Sequence, residues 1–206
     1  MVYAAGDDPL CYPGTTVLRN KLNIEDQAKL EEFELPLFLT RAAEEVPTGN
    51  LDYEHYKVVH HHLFQDIYEW AGEVRTIRIG KGGNWFCYPE YIDQEMRRIF
   101  EGMAEADYFR GLAIEDFAGE VAHVLAEINA VHPFREGNGR TQLTFLAMLM
   151  ESAGFLFNAD VLERERVLNA MIESFAGDEA PLARLITDIA SHRGDSTPSS
   201  RPATRK

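Results

Sequence analysis

Between Thr141 and Ser152 the chain carries Leu143, Phe145, Leu146, Met148, Leu149 and Met150, which fall nearly all round a helix rather than along one stripe. Such a helix has no face to give to water, so the rest of the fold must surround it. Gly154 ends it. Immediately ahead stands a run of a different character: His132-Pro133-Phe134-Arg135-Glu136-Gly137-Asn138-Gly139-Arg140. An imidazole, a carboxylate, an amide, a guanidinium and two glycines within nine residues, at the entrance to a rigid element, are a mixture that few structural needs would require.

The first N–H groups of a helix have no intrahelical partner, and the macrodipole adds roughly half a positive charge there, so a loop entering a helix is an anion site. Gly137 and Gly139 lack Cβ and let the loop take positive φ and bring its N–H groups close to a phosphate. Arg140 can fork onto phosphate oxygens, and Asn138 can donate its amide to the same group. Glu136 is the kind of oxygen ligand that Mg2+ takes beside substrate phosphates and water. His132, neutral at cellular pH, could accept a proton from an attacking hydroxyl, a contribution of about 10² to 10⁴ in rate. Phe134 points inward as a core anchor, and Pro133 stiffens the entry. A helix-capping polar loop with a core histidine would explain any one of these residues, but not the nine together.

The stretch resembles the signature of the Fic domain family, His-x-Phe-x-(Asp/Glu)-Gly-Asn-Gly-Arg-x-x-Arg, and matches every specified position through Arg140. The resemblance implies an all-α Fic fold, a helical bundle around a central motif helix. It also implies transfer of AMP from ATP, with Mg2+, to a Ser, Thr or Tyr hydroxyl of a target protein. By the same resemblance His132 is the catalytic base and Phe134 the core anchor. Glu136 is the metal ligand, Gly137, Asn138 and Gly139 form the anion hole, and Arg140 contacts phosphate. The family's second arginine would fall at position 143, where this chain has Leu143. In the family that arginine holds the terminal phosphate and receives an inhibitory glutamate, so Leu143 bears on both. Transfer of another nucleotide or phosphoryl moiety, or a catalytically weak nucleotide- or partner-binding module, are the competing readings; Gly139 speaks against phosphorylation, and the intact His132 and Glu136 against a retired enzyme.

Residues 1–23, with Pro9, Pro13 and Gly14, read as an N-terminal arm packed on the surface, and Tyr12-Pro13-Gly14-Thr15 through Leu22 is similar to the lead-in of bacterial Fic toxins and effectors. Residues 24–192 form the Fic domain, and 193–206, rich in Ser, Pro, Thr and Arg, a disordered tail. Helical spacing runs from Asp26 to Val46, with Leu30, Phe33, Leu37 and Ala42 inward and Pro36 a break or kink. Asp52 caps a helix to about Trp70 that buries Tyr56, Val59, Leu63 and Ile67. His60-His61-His62 point in three directions about 100° apart, cannot chelate one ion, and read as ordinary residues. Pro89 to Ala106, Ile114 to Val131, Asp160 to Phe175 and Pro181 to Ser191 are further helices.

Val74 to Ile79 alternates apolar and polar, Gly80 to Asn84 turns and Trp85 to Tyr88 returns, a β-hairpin over about 74–88. In the Fic family a hairpin here, the flap, pairs with an extended segment of the target. Thr76, Ile77, Arg78, Ile79 and Lys81 are its docking residues. For a bacterial toxin of this family the target is a type II topoisomerase subunit and a small antitoxin acts in trans; for a host-directed effector the target is a small GTPase. The net charge of −14 argues against a nucleic-acid or anionic-membrane surface. Cys11 and Cys87 form no metal spacing, no apolar run approaches a membrane span, and no secretory signal opens the chain. The expectation is a cytoplasmic protein, with secretion of an effector by another signal left open.

Overall fold

The structure, a computed structural model, describes residues 4–5 and 8–192; the tail expected from residue 193 lies outside the described residues. The fold is all-α with small β accessories. Seven helices are described: α1 (Gln27–Ala42), α2 (Tyr53–Phe64), α3 (Pro89–Glu105), α4 (Ile114–Val131), α5 (Asn138–Ser152), α6 (Arg164–Phe175) and α7 (Ala180–Ile189). Helix α5 is central. From Asn138 to Met150, apart from Gly139, every position is buried or half-buried, so a helix apolar nearly all round is enclosed as its composition requires. One core joins α3, α4, α5 and α7 through residues such as Ile92, Met96, Val121, Leu125, Phe145, Leu149 and Ile186. A second joins the N-terminal arm to α2 through Cys11, Val17, Leu18, Leu63, Phe64 and Ile67. The arm is therefore built into the fold rather than laid on it.

Several boundaries differ from the periodicity. Pro36 lies inside α1 without ending it. The side of α1 that meets α2 carries Leu30, Glu34, Leu37 and Phe38, which leaves Phe33, 52% exposed, and Ala42 beyond its edge. Helix α2 stops at Phe64 instead of Trp70. Beyond it two histidines of α2 take over backbone pairing: the Gly72 N–H donates to His60 Nδ1 (2.8 Å) and His61 Nδ1 meets the Ala71 carbonyl (2.8 Å), so Ile67, Tyr68 and Trp70 are buried by turns. The segment expected as a helix from Asp160 begins as a 3-10 turn at Ala159–Val161, and α6 starts at Arg164. Strand β4 (Phe155–Phe157) pairs antiparallel with β5 (Ala190–His192), where the last helix was expected to reach Ser191. Three-residue strands are too short for an alternation to register.

The hairpin is shorter than its alternation: β2 is Ile79–Lys81 and β3 Asn84–Trp85, with Gly82 and Gly83 both at positive φ (60° and 87°), as a type I′ turn requires. Thr76, Ile77 and Arg78 lie ahead of the strand. Strand β2 is the middle strand of three. Its other side pairs antiparallel with β1 (Ala4–Ala5), in the register Ala4 to Gly80 and Ala5 to Ile79.

Candidate active site

Helix α4 buries Phe117, Val121, Leu125 and Ile128 and ends where His132 turns left-handed (φ 53°, ψ 64°), its N–H closing on the Ile128 carbonyl. A non-glycine residue rarely holds that conformation without help from its surroundings. The imidazole is 6% exposed and stacks on Phe86 at 3.8 Å between centroids, with the rings 11° from parallel. Its Nδ1 lies 3.2 Å from the Asn129 carbonyl, which can only accept, so Nδ1 carries the hydrogen and Nε2 the lone pair. Burial pushes the His132 pKa down to about 3; the Asn129 carbonyl opposes this, and the charges of Lys81 and Arg75 assist it. A helix C-terminus alone would favour the imidazolium. Here burial is the larger effect, and the ring is neutral across the physiological range.

Arg75, a polar position of the alternating run, is 2% exposed. Its Nε–H donates to the His132 carbonyl (2.8 Å), Nη1 to that of Ile77 (2.6 Å), and Nη2 to those of Cys87 (2.6 Å) and Val131 (3.1 Å). Its backbone N–H donates to the Pro133 carbonyl (2.9 Å). Arg75 is thus committed to the end of α4 rather than to a sheet ladder. Nothing in the alternating pattern marks this arginine as buried.

Beyond His132 the loop is clamped from within. Phe134 is fully buried, with His60 stacked on it at 3.8 Å and Tyr56 at 5.6 Å. Asn138, 1% exposed, accepts the Phe134 N–H (2.9 Å) and donates to the Phe134 carbonyl (2.8 Å). Its side chain was expected to reach a phosphate and is used inside the loop; its backbone N–H is what it can offer an anion. Gly137 caps α5 at φ 81°, and a Cβ there would meet the Phe64 ring at 2.5 Å, so only glycine fits. The first bond of α5 runs from the Thr141 N–H to the Gly137 carbonyl, and the N–H groups of Asn138, Gly139 and Arg140 precede it.

His60, read as ordinary, belongs to this site. Since the Gly72 N–H donates to its Nδ1, its Nε2 carries the hydrogen and donates to the Glu136 carbonyl at 3.0 Å. Burial pushes its pKa down to about 3 as well, against the Glu136 carbonyl and with the Arg140 charge. Its place on the Tyr56-His60-Phe64 line, two full turns along one buried face, was a signal available in the sequence.

The Glu136 carboxylate, 31% exposed, accepts the Gly137 N–H at 2.8 Å and lies 3.6 Å from Arg140. Arg140 is drawn toward α1, where Nη2 meets Glu34 at 2.5 Å, and its guanidinium sits 4.6 Å from the Phe64 centroid and 5.2 Å from that of Phe38. The other Glu34 oxygen accepts the Tyr68 hydroxyl. Leu143 is half-buried against the main core. Arg135 pairs with Asp8 of the arm at 2.6 Å, both side chains nearly inaccessible. On the flap Thr76 is exposed, Ile77, Arg78 and Lys81 half-buried and Ile79 fully buried. Arg78 lies over the exposed Tyr88 ring (3.8 Å) and the exposed Trp85 ring (5.0 Å).

The site is therefore a neutral imidazole at a helix end, a glycine-bounded row of N–H groups at the start of the next helix, a half-exposed carboxylate between them and a guanidinium beside it. Such a group set can take a proton from a hydroxyl and hold a phosphate chain. Comparison with known proteins agrees with this chemistry. The profile of the Fic/DOC family matches residues 50–150. The probable protein adenylyltransferase y4lH of Sinorhizobium fredii is 58% identical, over 88% of this chain and 95% of its own length. The probable protein adenylyltransferase Fic of Escherichia coli is 34% identical, over 94% of this chain and 98% of its own. Among solved structures, the BepC effector of Bartonella tribocorum with bound AMPPNP superposes with a TM-score of 0.80 at 27% identity, over 89% of this chain and 97% of that one.

Proposed function

This chain belongs to the Fic/DOC family and is a protein adenylyltransferase, and on that footing we propose that His132 is the base that moves AMP from ATP onto a hydroxyl of a docked target. One observation carries the reading: a buried, neutral imidazole with its lone pair on Nε2, joined by the five residues of a clamped loop to the N–H groups that open α5. The target hydroxyl gives its proton to Nε2 while its oxygen attacks the α-phosphorus in line. The bond from that phosphorus to the bridging oxygen breaks, and pyrophosphate leaves with the electron pair. The N–H groups of Asn138, Gly139 and Arg140, with the Arg140 guanidinium, face the charge that develops on the phosphates. An imidazole that prefers to be neutral then sheds its proton once product departs.

Glu136 would hold Mg2+. A half-exposed carboxylate with one oxygen already taken by the Gly137 N–H suits an ion carried mainly by phosphates and water, and among the described residues no group of three or more His, Cys, Asp or Glu could hold a metal alone. When bound, the ion neutralises charge on the leaving pyrophosphate. Arg140 serves the phosphates while shared with Glu34, and Leu143 leaves the terminal phosphate without a grip from that position.

The target docks on the flap through main-chain pairing, and a strand that adds to β2 replaces Ala4–Ala5. A type II topoisomerase subunit is the target this reading names for a bacterial toxin, and a small antitoxin in trans its silencer. Thr40 to Glu44 and Ser174 to Asp178 only faintly resemble the inhibitory glutamate pattern of the family. Among the described residues no helix is long and apolar enough to cross a membrane, and the reading places the reaction in the cytoplasm.

The test is incubation of the purified protein with Mg2+, a bacterial lysate and ATP labelled at the α or the γ phosphate, beside His132→Ala. Label retained from the α position alone and lost in the variant is the expected result; retention from γ would make the enzyme a kinase, and no label from either position would leave a binding module.

A further inference from the structure

Three segments of the chain meet at one buried guanidinium. On the side of the base, Arg75 takes the carbonyls of Val131 and His132, the last of α4 and the residue that turns left-handed. On the side of the hairpin it takes the carbonyls of Ile77 and Cys87, one before β2 and one after β3. Both roots of the flap and the backbone of the base are thus held by one planar group.

We infer that Arg75 is a positioning residue that fixes the target-docking flap and the His132 backbone relative to each other. The inference rests on the reading of His132 as base and of the hairpin as docking element. Two physical arguments support it. A two-stranded hairpin of this size is marginal unless held to something. Here its roots are held by Arg75, by the Cys87 N–H on the Ala130 carbonyl and by the packing of Ile79 and Phe86. In-line attack on phosphorus also tolerates little error, because a misplacement of about 1 Å costs about 10²-fold in rate. A target strand registered on the flap delivers its hydroxyl to Nε2 only if flap and base do not drift apart, and those are the two bodies Arg75 joins. Lysine cannot replace it: one ammonium has three donors on a single atom, whereas the guanidinium presents five in fixed directions and reaches four carbonyls.

The decisive experiment compares the full chain with Arg75→Gln and Arg75→Lys by amide hydrogen exchange and by transfer of label from α-labelled ATP into lysate protein. Exchange is expected to quicken by about tenfold or more in residues 77–88 and 131–134 together in both variants, while core amides such as those of Ile99 and Leu146 keep the wild-type rate. Transfer is expected to fall by about 10²-fold in both variants with the KM for ATP unchanged. The inference is overturned if exchange quickens in only one of the two segments, if it quickens equally through the core, or if Arg75→Lys restores transfer, since charge rather than the planar fork would then suffice. If Arg75→Gln does not fold, Arg75→Lys carries the same comparison. A wild-type chain that transfers no label would refute the adenylyltransferase chemistry, while the exchange pattern would still decide whether the two segments are joined through Arg75.

Discussion

His132 and His60 are both buried imidazoles held neutral, and that has a cost at acid pH. Each has a folded pKa depressed to about 3, below the ordinary value near 6.5, so between those limits the unfolded chain binds protons that the folded chain refuses. Their stabilising contribution is complete above about pH 6.5 and is lost as pH falls toward about 3, at about 1.4 kcal/mol per pH unit for each histidine. Urea denaturation at pH 7 and pH 5 should therefore show a clear loss of stability, and His132→Ala should remove one proton's worth of that dependence. A dependence unchanged in the variant would mean that His132 is already protonated in the fold. Leu143 offers a second measurement. Restoring the family's arginine by Leu143→Arg adds a charge-assisted contact for the terminal phosphate of about 1.5 to 3 kcal/mol, so the KM for ATP should fall by about tenfold or more. At this scale the motif was legible because its chemistry is local: the glycines, the histidine and the carboxylate sit within nine residues. Arg75, Glu34 and Asp8 were not, because each acts on the site from 57 or more residues away by partners that no spacing encodes: the Arg75 guanidinium on His132, Glu34 on Arg140 and Asp8 on Arg135.

Among the elements, α3, α4, α5 and α7 followed from periodicity, since each buries one stripe or, for α5, nearly its whole surface. Misreadings arose where burial continues after the helix stops, as beyond Phe64, and where a residue in an alternating run turns inward, as Arg75 does. Strand β1 was invisible for another reason: two alanines have no strand preference of their own, and only the exposed ladder of β2 makes them one. That pairing yields a prediction. Deleting residues 1–5 should free the outer side of β2 and raise label transfer to lysate protein several-fold at low target concentration, with the KM for ATP unchanged. Transfer that falls instead would show that β1 supports the flap rather than competing for it.

For the molecule as a whole, two cores meet around α2 and α5, and the arm is tied across them by the Asp8 to Arg135 pair. Asp8→Ala takes from the buried Arg135 guanidinium a charge-assisted hydrogen bond of 2.6 Å, a loss of typically about 1.5 to 3 kcal/mol. Asp8→Ala should lower stability on that scale in thermal or urea denaturation, and a loss under about 1 kcal/mol would show that the arm is dispensable to the fold. The whole-chain charge of −14 gave little guidance to the site, because Arg75, Lys81, Arg135 and Arg140 gather cationic groups about the loop of residues 132–140 of an otherwise acidic protein. The place of Ala4–Ala5 on β2 has one more consequence. Any segment joined ahead of Ala4 is tethered at the edge of β2 proposed above for target docking, at an effective concentration of about a millimolar for a short flexible tether. A fusion tag carrying serine, threonine or tyrosine there would become a substrate that outcompetes free protein, and a label found on the enzyme itself would report the tether rather than the enzyme's choice.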